Sequence, residues 1–268
     1  MFYLLSEKSL RKPGTRFLSN KVLNLLFHMQ NLGNTCYFNT ALQCMLHVPV
    51  LTNHFIINGY DGTCVFTQEY KNMVDHIWVH KKKEALNPSK MLQDFRSRYP
   101  QFRGSEPNDV QETILCIIDI FESSLDKDWV KKHFYGEMTT RITGKEPATD
   151  IFSCHTIDIG EDFFTKSTMI DNNPEYQMES TITKKGTVFM INFNLYKEKQ
   201  LIDLPERFEG YKLCGAALHL GSHRGGHYAA LVRHRDEWFI CDDEIKIKVD
   251  HYNEKGPYYF AMYTKSSN

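Results

Sequence analysis

The chain has 268 residues, of which 41% are hydrophobic and 13% aromatic, a composition typical of a folded protein and unlike that of a disordered one. Its 32 Lys and Arg residues nearly balance its 33 Asp and Glu residues, so the formal net charge is -1. This balance creates no overall positive field, and we therefore expect neither nucleic acid nor a membrane as a partner. A chain of this length can bury a sizeable core, as one large domain or two small ones.

Cysteine usage and the N-terminus indicate where the protein acts. Seven cysteines without close pairing, in a chain too long to need disulfides, favour a reducing compartment, either the cytoplasm or the nucleus. The apolar residues 1–5 are too short for the core of a signal peptide, and no later stretch is long enough to span a membrane. Residues 1–26 contain a turn-prone run at 11–14 and are interpreted as an N-terminal extension of uncertain order.

Residues 27–134 have the pattern of a helical lobe. Pro49 is predicted to limit a first helix that begins near Cys36, and Asn87-Pro88 and Pro107 are predicted to open later ones. Two apolar stripes at helical spacing mark buried faces, and they comprise Phe66, Tyr70, Met73, Val74, Ile77 and Trp78 in one and Val110, Ile114, Ile117, Ile118 and Phe121 in the other.

Residues 135–268 change to the shorter period of β-strands. Eight segments rich in Val, Ile, Phe, Tyr and Thr are separated by turn residues, and they are 136–143, 150–159, 187–195, 211–220, 227–234, 237–241, 245–249 and 257–264. The sequence therefore predicts an α+β protein in which a helical lobe meets a mostly antiparallel β lobe, with a cleft between them.

The most distinctive stretch of the first lobe is residues 31–43, where a Gly-containing turn runs into a helical pattern that begins near Cys36. The side chain of Thr35 or Asn34 is predicted to cap this helix. The positive end of the helix dipole favours a thiolate at Cys36, and Asn31 offers a neutral N–H donor above it. A thiolate and a neutral donor form half of an acyl-transfer site, although a lone cysteine is more often a small buried hydrophobic residue.

A candidate base, His227, lies at the start of a predicted strand in the second lobe. The strand 227–234 and the segment 237–241 are predicted to form a hairpin whose turn is centred between Arg235 and Asp236. A single histidine on a strand is more often a surface or core residue than a catalytic one. Its neighbours across the hairpin therefore decide what it can do.

The predicted register brings a carboxylate to this histidine. His227 falls opposite Glu244, and Asp242 lies two positions away on the same face because side chains alternate along a strand. Asp243 would face the other way, and a slip of one residue would exchange Asp242 and Asp243. We favour Asp242 as the group that orients His227.

Taken together, these segments resemble a known family. Residues 31–43, which read Asn-Leu-Gly-Asn-Thr-Cys-Tyr-Phe-Asn-Thr-Ala-Leu-Gln, resemble the cysteine box of the ubiquitin-specific proteases. Residues 225–230, followed by Trp238 and the pair 242–243, resemble their histidine box. Weaker matches occur in family order at 107–112 with 117–119, at 188–193, at 211–213 and at 258–263. The resemblance covers roughly residues 28–265, and the two boxes are highly specific as a pair.

The resemblance implies a papain-like cysteine peptidase architecture. A helical thumb lobe, 27–134, would pack against a mostly antiparallel β palm in 135–268, and together they would form one catalytic domain, 27–268. Relatives hold the globular body of ubiquitin with a fingers region. That region would correspond here to about 136–186.

The family also implies a role for each residue of the two boxes. Cys36 matches the nucleophile, His227 the general base and then acid, and Asp242 the residue that orients the histidine. Asn31 matches the side chain of the oxyanion hole. Asp243 matches a second acidic position that assists Asp242 or partly substitutes for it.

Five further residues are expected to bind substrate. Asp109 and Glu112 match positions that pair with the basic residues of ubiquitin's C-terminal tail, and their i, i+3 spacing puts both on one helix face. The simpler alternative is that acids near a helix N-terminus are favoured by the dipole. Gly225 and Gly226 suit a narrow channel for a substrate that ends in Gly-Gly, and Tyr228 beside the base suits either packing or binding.

The chain departs from the family in two places. Most relatives carry two Cys-x-x-Cys pairs that bind a structural zinc in the fingers, whereas here Cys154 stands alone, so we expect no metal and a reduced or differently stabilised fingers region. Asn108 and Thr113 replace the residues that relatives usually have in the acidic helix, which weakens the assignment of tail binding.

The resulting expectation is a thiol-dependent deubiquitinase that hydrolyses the isopeptide or peptide bond after the C-terminal glycine of ubiquitin. No cofactor is expected, and the protein is expected to be a monomer whose partner is ubiquitin or a ubiquitinated protein. Two alternatives remain: a cysteine peptidase acting on a ubiquitin-like modifier, and a module of the same fold that binds ubiquitin without cleaving it.

Overall fold

The structure is a computed structural model that describes residues 28–82, 84–158, 168–173, 176–194, 201–222, 225–250, 252 and 255–266. The expected N-terminal extension, 1–26, lies outside the described residues. No helix among the described residues has the length and apolar character needed to cross a membrane.

Six α-helices form the helical lobe within the described residues. They are α1 (Cys36–Leu46), α2 (Pro49–Asn58), α3 (Val65–Val74), α4 (Ser89–Arg98), α5 (Val110–Ser124) and α6 (Lys127–Phe134). A π-helical turn, Asp75–Val79, continues α3, and a short 3-10 turn, Pro100–Phe102, follows α4. The two predicted apolar stripes lie on buried faces, apart from the half-buried Trp78.

The ends of three helices differ from the expectations. Pro49 does not itself end α1 but opens α2 at its first position, where its missing N–H costs nothing. Helix α4 begins at Ser89, whose N–H is bonded by the side chain of Asn87 at 2.9 Å. Helix α5 begins at Val110, three residues after Pro107, so Pro107 lies outside the helix.

Fourteen strands form the β lobe within the described residues. They are β1 (Gly136–Ile142), β2 (Ala148–Phe152), β3 (Cys154–Asp158), β4 (Thr168–Asn173), β5 (Tyr176–Lys184), β6 (Val188–Asn194), β7 (Ile202–Asp203), β8 (Arg207–Phe208), β9 (Tyr211–Ser222), β10 (Gly225–His234), β11 (Glu237–Asp242), β12 (Ile245–Val249), β13 (Lys255–Gly256) and β14 (Tyr258–Lys265).

The strands form three sheets. The central sheet has the order β12-β11-β10-β9-β14-β6-β3, with β8 paired to β9, and only its β3–β6 pair is parallel. The segment expected to form the fingers contributes a separate antiparallel sheet in the order β2-β1-β5-β4, and β13 pairs with β7. The described residues therefore have the predicted α+β architecture with a mostly antiparallel β lobe.

The fingers segment is where the predicted strands fit least well. The predicted strand 150–159 is two strands, β2 and β3, which belong to different sheets, and β4 and β5 were not predicted. Strand β2 is almost wholly exposed, so its sequence lacks the apolar alternation that marks a half-buried strand. Polar pairs link the strands instead, including Thr139 with Thr149 and Thr140 with Ser180, both at 3.0 Å.

Helix α1 occupies the centre of the fold, and all of its residues are buried. It packs against α5 in the helical lobe and against β9, β10 and β11 of the central sheet, so both of its sides are covered. Ala230 and Val232 belong to the core on this side of the sheet, while Ala229 and Leu231 belong to a second core on its other face. The start of α1 is thereby fixed at the junction of the two lobes.

Candidate active site

Cys36 is the first residue of α1, as predicted, and it is 9% exposed. The expected side-chain cap is not formed. Thr35 occupies the N-cap position, but its hydroxyl accepts from the N–H of Leu32 at 2.9 Å, and Asn34 donates to the carbonyl of Ser105 at 2.8 Å. These side chains brace the loop before the helix instead, because each finds a partner outside the first turn.

The hairpin that carries His227 has the predicted register. His234 pairs with Glu237 and Ala230 with Cys241, which centres the turn between Arg235 and Asp236. Both turn residues have positive φ, 50° and 68°, as a tight two-residue hairpin turn requires.

The register brings His227 and Asp242 together. Nε2 of His227 is hydrogen-bonded to Oδ1 of Asp242, which is 7% exposed at the end of β11. This bond fixes the orientation of the imidazole and leaves Nδ1 as its other polar atom. The choice of Asp242 over Asp243 as the partner of His227 agrees with this geometry.

His227 also contacts the cysteine of the other lobe. Burial lowers the pKa of His227, but hydrogen bonds to Asp242 and Cys36, and the charges of both, outweigh burial and raise it to about 10. The imidazole is therefore favoured in its protonated form, which can donate to a thiolate. Cys36, His227 and Asp242 form one connected chain of side chains across the junction of the lobes.

Asp243 has a different environment, in the turn that follows β11. Its backbone has a φ of 49°, and its carboxylate accepts from the side-chain amides of Asn31 at 2.6 Å and Asn39 at 2.7 Å. The net pKa of Asp243 is raised, because burial and the nearby charge of Asp242 outweigh the two amides and the charge of His227, which lower it. Asp243 thus ties the β11–β12 turn to the loop that leads into α1.

The side chain of Asn31 is tied to the turn that follows β11. Its amide N–H donates to Asp243, and its Oδ1 accepts from the backbone N–H of Gly33 at 2.9 Å. An amide nitrogen carries two N–H groups, so this bond leaves the expected role of Asn31 in the oxyanion hole a prediction. The sequence carried no signal for the Asn31–Asp243 bond, since the two residues are 212 positions apart.

Asp109 takes part in a hydrogen-bond network at the start of α5, and its expected role in binding the ubiquitin tail stays a prediction. Because α5 begins at Val110, Asp109 is its N-cap, and its Oδ1 accepts from the N–H of Glu112 at 3.0 Å. Its Oδ2 accepts from the hydroxyls of Tyr228, at 3.5 Å, and Tyr259. The bond from Oδ1 agrees with the simpler alternative, in which the acid is favoured because it lies at a helix N-terminus. Glu112 is exposed.

Tyr228 belongs to a group of rings beside Asp109. Its ring centroid lies 4.9 Å from that of His219 and 5.7 Å from that of Tyr259, and the residue packs against the core between the helices and the central sheet. Gly226 adjoins the same group, because a Cβ there would lie 2.0 Å from Nε2 of His219. Sequence reasoning missed His219 and Tyr259, whose only signal was their position in predicted strands.

Gly225 opens β10 and pairs with Ser222 of β9. Its expected place in a substrate channel stays a prediction. His227, Asp242 and Asp243 form the group of potential ligands close enough to hold an ion among the described residues. The carboxylate of Asp242 is already bonded to His227, and that of Asp243 to the amides of Asn31 and Asn39. We therefore assign no metal to this group.

A cysteine at a helix N-terminus, bonded to a histidine that an aspartate orients, is the arrangement of cysteine hydrolases. The sequence profile of the Ubiquitin carboxyl-terminal hydrolase family matches residues 27–263, nearly the whole chain. The chain therefore belongs to this family, as its cysteine and histidine boxes predicted.

Individual relatives are more distant. Ubiquitin carboxyl-terminal hydrolase 6 of Schizosaccharomyces pombe is 26% identical over 119 residues, which are 42% of this chain and 24% of that protein. The match thus spans about a quarter of the length of this curated relative.

Solved structures resemble the fold more completely. A chain of the SAGA DUB module Ubp8/Sgf11/Sus1/Sgf73 bound to monoubiquitin has a TM-score of 0.77 at 15% identity, over 97% of this chain and 74% of that one. A second structure, of the yeast SAGA DUB module with a mutant Sgf73, has a TM-score of 0.73 at 16% identity, over 93% and 71% of the two chains. Both were solved with further subunits, so they lend no support to the expectation of a monomer.

Proposed function

We propose that this protein is a thiol-dependent deubiquitinase that hydrolyses the isopeptide or peptide bond after the C-terminal glycine of ubiquitin. The observation that carries the proposal is the connected chain of Cys36, His227 and Asp242 at the junction of the two lobes. Membership of the ubiquitin carboxyl-terminal hydrolase family supports ubiquitin as the substrate. The similar fold solved with monoubiquitin supports it further.

The first chemical step is acylation of Cys36. Its thiolate attacks the carbonyl carbon of the terminal glycine, and His227, held by Asp242, donates its proton to the departing lysine amine. The amine leaves with that proton, and the glycine remains joined to the sulfur as a thioester. His227 is then neutral and ready to act as a base.

The second step is hydrolysis of the thioester. Neutral His227 takes a proton from a water molecule, whose oxygen attacks the carbonyl carbon. The C–S bond then breaks, Cys36 leaves as a thiolate beside the protonated His227, and the carboxylic acid of ubiquitin departs and loses its proton to solvent. In both steps the backbone N–H of Cys36 and the amide of Asn31 hold the oxyanion. The amide nitrogen of Asn31 carries two N–H groups, so one can donate to the oxyanion while the other keeps its bond to Asp243.

Recognition of the ubiquitin tail is assigned to the junction of the lobes. Asp109 and Glu112 at the start of α5 attract the basic residues of the tail. Gly225 and Gly226 leave room for a thin chain ending in Gly-Gly, and Tyr228 flanks it.

All seven cysteines lie among the described residues and none forms a disulfide, which supports our proposal of a reducing compartment, the cytoplasm or the nucleus.

The proposal is tested by hydrolysis of ubiquitin that carries a C-terminal amide-linked fluorophore. The wild-type protein is expected to release the fluorophore, and Cys36→Ala is expected to abolish release while preserving the fold. Cys64→Ala is the control, because Cys64 is a more exposed cysteine than Cys36 and lies outside the site. It is expected to retain full activity.

Ubiquitin-like modifiers with the same fluorophore are tested in parallel. Faster release from one of them than from ubiquitin would replace ubiquitin as the substrate. Binding of ubiquitin without release of the fluorophore would instead identify a non-cleaving module and would overturn the proposal.

A further inference from the structure

A basic pocket lies beside the loop that leads to Cys36. It has a volume of about 570 Å³, and its lining consists of Leu32, Ser89, Leu92, Gln93, Arg96, Ser97 and Arg103. These residues come from the loop before α1, from one side of α4 and from the segment after α4. None of the seven is acidic, so the pocket presents positive charge and hydrogen-bond donors to a ligand.

Arg96 is the residue of this pocket whose hydrogen-bonding capacity is not satisfied within the described part of the protein. Its Nε is buried and has no hydrogen-bond partner among the described residues. The guanidinium thus has no acceptor at this atom, and no ion pair to Arg96 forms among the described residues, so its positive charge is left to attract an acidic group that enters the pocket. Carboxylate oxygens match the planar set of donors of a guanidinium group.

The guanidinium of Arg103 is held in place at the edge of this pocket by two hydrogen bonds. Its Nε donates to the carbonyl of Arg96 at 2.9 Å, and its Nη2 donates to that of Ser97 at 3.1 Å. These bonds fix the guanidinium against the C-terminal turn of α4. The loop opposite is braced as well, because Asn34 donates to the carbonyl of Ser105.

From these observations we propose that this pocket binds an acidic segment of the protein to which ubiquitin is attached. The inference rests on the proposed function. The pocket includes no residue of α5 or β10, to which we assign the ubiquitin tail, and Leu32 places it next to the loop that leads to the nucleophile. A basic ubiquitin tail would be repelled here, whereas Asp or Glu residues near the modified lysine would be attracted.

The chain's own N-terminal segment is a poor occupant on charge. Residues 1–27 contain five Lys or Arg residues and a single Glu. Positive charge of this kind would be repelled by Arg96 and Arg103. Charge complementarity thus selects an acidic partner over this segment.

The test uses ubiquitin joined through the lysine side chain of a fluorescent peptide. One peptide carries Asp and Glu beside the lysine, and the other carries Asn and Gln at the same places. The wild-type protein is expected to cleave the acidic conjugate with a kcat/KM about fivefold higher, the size of effect given by a partly exposed charge pair, through a lower KM. This preference is expected to fall as salt is added.

Variants of Arg96 locate the effect. Arg96→Gln is expected to bring the ratio of the two kcat/KM values near one, and Arg96→Glu to favour the neutral peptide. Lys90→Glu is the matched control, since Lys90 lies on the same helix, is 75% exposed and is outside the pocket. It is expected to keep the wild-type ratio, and none of the variants should change release of a small fluorophore from ubiquitin.

A wild-type ratio near one, or a ratio that Arg96→Gln leaves unchanged, overturns the inference while the proposed function stands. If ubiquitin with the small fluorophore is not cleaved at all, the proposed function fails instead. The pocket is then judged by fluorescence anisotropy of the acidic peptide alone. Binding that Arg96→Glu abolishes and Lys90→Glu preserves supports the pocket as an acidic-peptide site, and no binding by the wild-type protein overturns it.

Discussion

Asn31 donates a hydrogen bond from its side-chain amide to the carboxylate of Asp243, which also accepts from Asn39. The loop before Cys36 and the turn after Asp242 are thereby joined across the two lobes. The same turn is joined a second time through the backbone, because the N–H of Met29 donates to the carbonyl of Asp243 at 2.9 Å. Asp242 and Asp243 are adjacent in sequence but face different partners, so their substitutions should have different effects.

Asp242→Asn should reduce kcat by about 10²- to 10⁴-fold, because an amide cannot hold the protonated imidazole as a carboxylate does. Asp243→Asn should reduce kcat less, since its partners are the amides of Asn31 and Asn39 rather than the base. Steady-state kinetics on ubiquitin with a C-terminal fluorophore, with circular dichroism as the control for folding, compares the two variants. A larger loss of kcat in Asp243→Asn would contradict the assignment of Asp242.

The raised pKa of His227 predicts how stability depends on pH. Its ordinary value is 6.5, and in the fold the opposing effects of burial and of its bonds to Asp242 and Cys36 give a net rise to about 10. Because the folded-state pKa is the higher one, protonated His227 contributes its full stabilisation below about pH 6.5, and the contribution is lost as the pH rises toward about 10.

Urea unfolding of the wild-type protein and of His227→Gln, measured across this range of pH, tests that prediction. The difference between their free energies of unfolding should be largest at the acidic end and should shrink as the pH rises. A difference that grows with pH would show that the pKa of His227 is lowered in the fold rather than raised.

Gly226 has two possible reasons to be a glycine, the space taken by the ring of His219 and room for the ubiquitin tail, and a pair of variants distinguishes them. Gly226→Ala should destabilise the fold by about 1–3 kcal/mol, because the added methyl group would collide with the ring of His219. Combining it with His219→Ala removes that ring and should restore the melting temperature. If a glycine is also needed for the ubiquitin tail, the double variant will remain poorly active despite its restored stability, and full recovery of activity would rule out a role for Gly226 in the channel.

Asp109 combines a helix cap with a proposed binding role, and the two can be separated. Asp109→Asn keeps an oxygen that can cap α5 but removes the charge, so stability should change little while the KM for ubiquitin substrates rises about two- to fivefold. Asp109→Ala should also lose about 1 kcal/mol of stability. Glu106→Gln, an exposed acid in the preceding segment, is the control and should leave KM unchanged. An unaltered KM in Asp109→Asn would leave Asp109 with its capping role alone.

The parts of the site that were predicted correctly depend on local rules. The pattern of β10 and β11 and their two-residue turn fix the register, and the register alone brings Asp242 to His227. A turn followed by helical spacing likewise places Cys36 at the start of α1. In both cases the residues that decide the geometry lie within about one hairpin or helix of one another.

The features that were missed depend on contacts between distant parts of the chain. The bonds from Asn31 to Asp243 and from Tyr259 to Asp109 join residues 212 and 150 positions apart, and no periodicity encodes such pairs. The exposed strand β2 and its neighbours were poorly predicted for another reason. Strands held mainly by backbone and Thr hydrogen bonds lack the apolar alternation by which a strand is recognised in a sequence.

The central claim is that the sulfur of Cys36 is the nucleophile toward the C-terminus of ubiquitin. The most direct measurement is mass spectrometry of the protein after incubation with ubiquitin whose C-terminal glycine is replaced by an electrophile. A single adduct on the peptide that contains Cys36, absent after Cys36→Ala and strongly slowed by His227→Gln, is the predicted result. An adduct on another cysteine such as Cys64, or none under conditions in which ubiquitin binds, would contradict the account.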